Sequence, residues 1–178
     1  MSNLKNNKGI TLMTLVITII VLLIIVSITV NYGIDSINKA QIQNMQTNML
    51  LIEAKAKKYV ENANFQLGVK PDEATDEMKE KSSNELKGKK VTENDGIVST
   101  LTSIGISIEE IKNGNTYQIS NEDLAEMGIK GVVSNAEEGW YIIVYDVVNA
   151  NAKIYNTNGI KTDDGEKYCL DDIRNIEI

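Results

Sequence analysis

Asp163, Asp164, Glu166, Asp171 and Asp172 crowd the last part of the sequence, and a hard cation such as calcium takes clustered oxygen ligands of this kind. Their spacing matches no EF-hand loop, so a solvated acidic face is the preferred reading. Cys169 stands among them and is the sole cysteine, which excludes an intrachain disulfide and a zinc site built from several Cys and His. A buried, inert thiol on a strand is the reading for it. No histidine occurs anywhere, which removes the commonest general base and the usual partner of a Ser or Cys nucleophile. No spacing singles out a pair of carboxylates for acid–base work. The expectation is a chain that is not an enzyme and needs no cofactor. Lys87, Lys89 and Lys90 form a small basic cluster, but no aromatics interleave with it and the chain carries a net charge of −7. That balance argues against nucleic acid as a partner, and a solvated face is the better reading of the lysines.

The elements that would position these residues divide unevenly along the chain. From Ile10 to Ile34 no residue is charged, and Ile, Leu and Val dominate. Such a run is long enough to cross a hydrocarbon core of ~30 Å as a helix. Lys5 and Lys8 precede it and Asp35 is the first charge after it, so the N-terminus is expected on the cytoplasmic side, with the bulk of the chain exported. A cleavable secretory signal fits poorly, because its apolar core is short and ends in small residues, whereas the first alanine here is Ala40.

Beyond the span, Met45, Met49, Ile52, Ala56, Tyr59 and Ala63 recur at helical spacing, with Ile34, Ile37 and Ile42 leading in and polar residues on the other faces. Neither glycine nor proline interrupts residues 34–63. One helix is therefore expected from Ile10 to about Ala63, apolar in its first half and amphipathic in its second. Gly33 is its expected hinge, and Gly68 and Pro71 end it.

The segment Lys8-Gly9-Ile10-Thr11-Leu12-Met13-Thr14-Leu15, followed by an uncharged helix, resembles the N-terminus of type IV prepilins and pseudopilins. The resemblance is specific from Lys8 to about Val30 and general to Ala63. It implies a leader of residues 1–9, with Lys5 and Lys8 as its basic charges, cut between Gly9 and Ile10 by a prepilin peptidase that then methylates the new N-terminus. Isoleucine replaces the family's usual phenylalanine at that terminus. Thr14 departs further: most members carry glutamate there, meeting the amine of a neighbouring subunit. The departure is compatible with a minor, priming or tip subunit, or with a lineage in which the charge pair has been replaced. The family's mid-helix proline is also missing. Thr11, Thr14 and Thr18 share one helix face, with Thr29 further along, and are a candidate assembly face through close packing and interhelical hydrogen bonds. The bland alternative is that each hydroxyl bonds back to its own helix.

The remainder, residues 68–178, is expected to form an extracytoplasmic globular domain. Residues 72–90 are charged with mixed sign and read as an exposed helix or loop, with Glu77 and Lys81 at helical spacing. Ile97, Val98, Leu101, Ile104 and Ile108 make an apolar segment, helix or strand. Ser120 with Asp123 resembles a capped helix start running to Gly128. Trp140–Val148 is dense in β-branched and aromatic residues and predicts a central strand, with Trp140 and Tyr141 as core aromatics. Asn149-Ala150-Asn151 turns it into a strand at Ala152–Asn156, Asn158-Gly159 predicts the next turn, and Tyr168-Cys169-Leu170 adds a last strand. The expected class is α+β: a long N-terminal helix, membrane half (10–34) plus amphipathic half (35–67), packed on a small antiparallel sheet in a pilin-like arrangement.

Two functions follow. The first is a filament subunit of a type IV pilus or pseudopilus, a single-pass membrane protein before assembly. Its partners are identical or homologous subunits, the prepilin peptidase and an assembly platform in the membrane. The second is a single-span anchored surface-binding protein that never polymerises and hangs on a flexible stalk.

Overall fold

The computed structural model describes residues 6–162, 164–174 and 176, with side chains described over 14–23 and from 39 onward. Two compact units are present, Met1–Gln43 and Asn44–Ile178. Helix α1 (Asn6–Leu67) supplies the described part of the first unit and opens the second. The second unit continues with α2 (Asp76–Glu85), β1 (Lys89–Lys90), α3 (Val98–Ser103), α4 (Ile108–Lys112), β2 (Thr116–Ile119) and α5 (Asn121–Glu126). It closes with β3 (Tyr141–Asp146), β4 (Asn151–Thr162), β5 (Gly165–Cys169) and α6 (Leu170–Ile173). The class is α+β, with a five-stranded sheet in the order β1-β2-β3-β4-β5, every neighbouring pair antiparallel.

From Met49 onward α1 is amphipathic. Met49, Ile52, Ala56, Val60 and Ala63 have no exposed surface and Leu67 very little, while Met45 and Tyr59 are only half-buried. The expected stripe repeated every seven residues, but a straight helix drifts by ~20° per heptad against such a repeat. By the third turn Val60 has therefore taken the inward position expected for Tyr59, and Leu67 continues the track. The helix stops at Gly68, whose φ of 67° is easy only for glycine.

Strand β3 is buried on both faces, which explains its unbroken apolar sequence. Ile142 and Val144 join Val91, Leu101, Ile106, Ile111, Tyr155 and Cys169 in a core cluster on the side of α3 and α4. Tyr141, Ile143 and Tyr145 point the other way, and pairing aligns them with Ile119 and Tyr117 of β2 and with Ile154 and Ala152 of β4. This second face receives α1. Asn48 bonds the Tyr141 hydroxyl, and Asn64 Nδ2 donates to the carbonyls of Val147 (2.7 Å) and Val148 (3.2 Å).

Several boundaries differ from the sequence expectations. The central strand is shorter than Trp140–Val148: Trp140 lies just outside it, half-buried against the core cluster, and Val148 is 56% exposed in the following turn. That turn is held by Asp146, which accepts from the Asn149 backbone and side-chain amides at 3.1 and 2.7 Å. Asn158-Gly159 does not turn the chain. It lies within β4, where the register with β5 shifts between Tyr155 and Ile160. An Asn-Gly pair supplies the positive φ needed by a hairpin or by a bulge, and here Gly159 (φ 62°) serves the bulge. A Cβ on Gly159 would lie 2.5 Å from the Tyr168 ring. The hairpin instead closes at Thr162, paired with Gly165. Leu170 is not in the last strand but opens α6. Ile108 is 52% exposed, outside the core that Leu101 and Ile104 enter.

Two short helices carry reciprocal caps. Ser107 and Ser120 accept from the backbone amides of Glu110 and Asp123, whose carboxylates accept in return from the serine amides. In the charged stretch, Thr75 caps α2, and Lys81 donates to Glu77 at 2.8 Å.

Candidate functional site

The apolar face available to a partner begins in α1. Leu15, Val16, Ile17, Ile19, Ile20, Val21, Leu22 and Leu23 are each 47–62% exposed. Consecutive residues point around the whole helix circumference, so this segment is greasy on every side and makes no inside–outside choice. Among the described residues no helix is long and apolar enough to cross a membrane. Over the rest of the expected span, 10–13 and 24–34, the backbone belongs to α1, Gly33 included. The side chains there, those of Ile10, Thr11 and Thr29 among them, lie outside the description, as does that of Lys8, and Lys5 lies outside the described residues altogether.

Thr14 and Thr18 are described and exposed. The Thr18 hydroxyl donates to its own helix, at 3.0 Å to the Thr14 carbonyl and 2.8 Å to that of Leu15. One hydroxyl has one proton, so in this conformation Thr18 offers a neighbouring helix lone pairs rather than a donor. Close approach over a small side chain is the packing role left to it.

At the other end of α1 a groove of about 460 Å³ is lined by Asn64, Phe65, Leu67, Gly68, Val69, Lys70, Pro71 and Val148. Phe65 at its edge is 81% exposed, with Val148 at 56% and Val69 at 40%. Phe65 sits off the buried stripe, on the face otherwise held by Lys58 and Glu61. Phe65 is absent from the sequence expectations, yet an aromatic on the polar face of an amphipathic helix is a signal that could have pointed to this surface.

The chemistry-bearing residues are scattered or engaged. Cys169 is a buried free thiol at the end of β5, opposite Tyr155, and burial raises its pKa, a rise that the hydrogen bond from the Asp171 backbone amide offsets only in part. Such a thiol is a poor nucleophile. Among the described residues no group of three or more Cys, Asp or Glu side chains is placed to hold a metal ion; Asp163 lies outside them. Tyr168 hydrogen-bonds Glu166, and Asp171 lies 3.9 Å from Arg174. Lys87 pairs with Glu126 at 2.6 Å and Lys89 with Asp95 at 3.4 Å. Arg174, the one arginine of the sequence, reaches both carboxylate oxygens of Glu53 at 3.0 and 2.9 Å, tying α6 to α1.

On the sheet face beneath α1, tyrosines accumulate. Tyr117 and Tyr145 meet edge to face with centroids 5.2 Å apart, and the Tyr145 hydroxyl donates to the Lys87 carbonyl at 3.1 Å. Burial raises the pKa of Tyr145 far above the ordinary phenol value, and Tyr141 is raised for the same reason. These are structural hydroxyls, kept neutral by their surroundings. Compared with protein-family models, with curated proteins and with solved structures, the chain matches none.

Proposed function

We propose that this chain is a structural subunit of a type IV pilus or pseudopilus filament, working through assembly rather than catalysis. One observation carries the reading: the Lys8-Gly9-Ile10 junction opens a helix, α1, that is apolar all round over residues 15–23 and then one-sided over Met49–Leu67, where it seats on an antiparallel sheet. In this reading a prepilin peptidase cuts after Gly9 and frees Ile10. The apolar segment is held as a single span in the bilayer, with the N-terminus cytoplasmic and the sheet-bearing domain outside. An assembly platform then moves it into a bundle of identical or homologous helices. The apolar surface exchanges lipid for helix neighbours, a transfer that conserves its burial from water. The second unit supplies the outer surface of the filament, a pilin-like domain in which α1 is both anchor and backbone.

Mass spectrometry of the membrane-extracted protein tests the first step. The expected product begins at N-methylated Ile10 in cells that contain the peptidase and retains Lys8-Gly9 in cells that lack it. An N-terminus unchanged between the two refutes the reading. The position of Thr14 keeps a second reading in view, a single-span anchored binding protein that does not polymerise, because threonine cannot supply the carboxylate that pairs with a neighbour's amine. Electron microscopy of sheared cell-surface material separates the two readings. Filaments containing this chain support assembly, and their absence under conditions of high expression supports the anchor.

A further inference from the structure

Resting on that reading, we infer that the groove at the C-terminal end of α1 receives the start of α4 from a second copy of this chain, with Ile108 as the inserted side chain. The groove walls are apolar, from Phe65, Leu67, Val69, Pro71 and Val148, and Lys70 is the one charged residue among those that line it. Ile108 is the matching shape elsewhere on the same unit, an aliphatic side chain 52% exposed at the first position of α4. It is followed directly by Glu109 and Glu110. An apolar knob flanked by carboxylates therefore meets an apolar groove edged by an ammonium, so the contact is complementary in both polarity and charge.

Placement sets the geometry of the assembly. The groove lies where the C-terminal end of α1 meets the turn after β3, and Asn64 bonds the Val147 and Val148 carbonyls there. The knob belongs to α4, whose Ile111 packs with Ile142 and Val144 on the sheet face away from α1. Groove and knob are different patches, so the contact is heterologous, and repeated copy by copy it generates an open stack or a closed ring rather than a two-fold dimer. Lateral contact between sheet-bearing domains is thereby assigned a direction, from α4 of one copy to the C-terminal end of α1 of the next.

The test is disulfide trapping in the full chain, in cells that produce the filaments. Ile108→Cys and Val148→Cys are introduced together and sheared filaments are oxidised mildly before non-reducing electrophoresis. The expected result is a ladder of dimers, trimers and higher species, with no ladder from either single variant or from the parent, whose Cys169 is buried. Filaments that form without cross-links, or that stop at dimers, overturn the inference and leave the filament reading standing. A parent chain that makes no filaments removes both. Should the double cysteine variant assemble poorly, charge reversal decides. Lys70→Glu is expected to lower filament yield roughly tenfold, a loss that corresponds to a modest change in contact strength, and adding Glu109→Lys is expected to restore it. Glu110 is left alone because it caps Ser107. Equal yields from Lys70→Glu and the parent count against the contact.

Discussion

Residues 14–23 and residues 49–67 belong to one helix, α1, and solve opposite problems. In the first stretch leucine, isoleucine and valine face every direction and stay about half exposed. In the second, apolar side chains return every three or four residues and the inward ones lose all or nearly all contact with water. A helix that is apolar all round has no preferred side and takes whatever apolar surroundings it meets, whereas a one-sided helix specifies a partner surface and a rotation about its own axis. The difference between them is composition as well as patterning: eight of the ten residues in 14–23 are leucine, isoleucine or valine, against five of the nineteen in 49–67, where lysine and glutamate take outward positions. Under the proposed function the first segment changes its neighbours and the second keeps them.

That contrast breaks most sharply by removing volume from the second stretch. Ile52→Ala empties a fully buried position between α1 and the sheet, and the expected cost is ~2–5 kcal/mol. Urea denaturation of the detergent-extracted chain, followed by fluorescence of Trp140, measures it. A loss below about 0.5 kcal/mol, the size of ordinary surface effects, would mean that α1 does not seat on the sheet through this stripe.

The tyrosines beneath α1 make the same interface sensitive to alkali. Their folded pKa values are raised by burial, so the native state holds the phenolic proton more tightly than the unfolded chain. Stability is then constant below the ordinary phenol pKa of ~10 and falls as pH rises above it, because the unfolded chain ionises first. Tyr145→Phe should flatten that fall. Below pH 10 it should cost only ~1 kcal/mol, from the lost bond to the Lys87 carbonyl. Identical alkaline slopes for parent and variant would show that Tyr145 takes no part.

Away from the interface the effects shrink. Ser120→Ala removes the cap of α5 and leaves the Asp123 carboxylate without the serine hydroxyl that donates to it at 2.6 Å. A loss of ~1 kcal/mol is expected for such a cap, read from the same urea midpoint. No change would mean that α5 is held by Leu124 and its packing alone.

How far the fold was legible in the sequence follows from how local each signal is. The capping box at Ser120, the Glu77–Lys81 pair and the stop at Gly68 are written within a few residues, and each has its place in the structure. The α1 stripe was legible as a helix with one apolar side, yet its drift from Tyr59 to Val60 needed the sheet as a reference. Asn158-Gly159 carried a backbone requirement, a positive φ, without saying whether a turn or a bulge would use it. Strands β1 and β2 gave almost no warning: Lys89–Lys90 is charged and Thr116–Ile119 is short, and β2 is a strand because β3 needs a partner, β1 because β2 needs one in turn. Gly88 shows the same dependence. Its φ is 104° and an added Cβ would lie 2.6 Å from Ile119 Cδ1, a close approach set by a residue far along the chain. Of the candidate assembly surface, the apolar run was read, and the odd placement of Phe65 was readable though passed over. The exposure of Val148 and Ile108 was not readable, since the other aliphatic residues of their segments are buried or half-buried.

The smallest expected effect on stability is the most discriminating for function. Leu22 is 60% exposed and belongs to the first unit, while the urea transition reports the second. Leu22→Ala should therefore leave the midpoint within ~0.5 kcal/mol of the parent. Under the proposed function the same substitution removes surface that neighbouring helices cover in a filament, so the amount of sheared filament should fall while total membrane-extracted protein stays constant. A chain that merely anchors a binding domain makes no filament in parent or variant and keeps the same amount of membrane-extracted protein, because a single leucine is spare in so apolar a segment. A shifted midpoint would instead show that residues 14–23 help hold the folded unit together, and the division of labour along α1 would fail at its first premise.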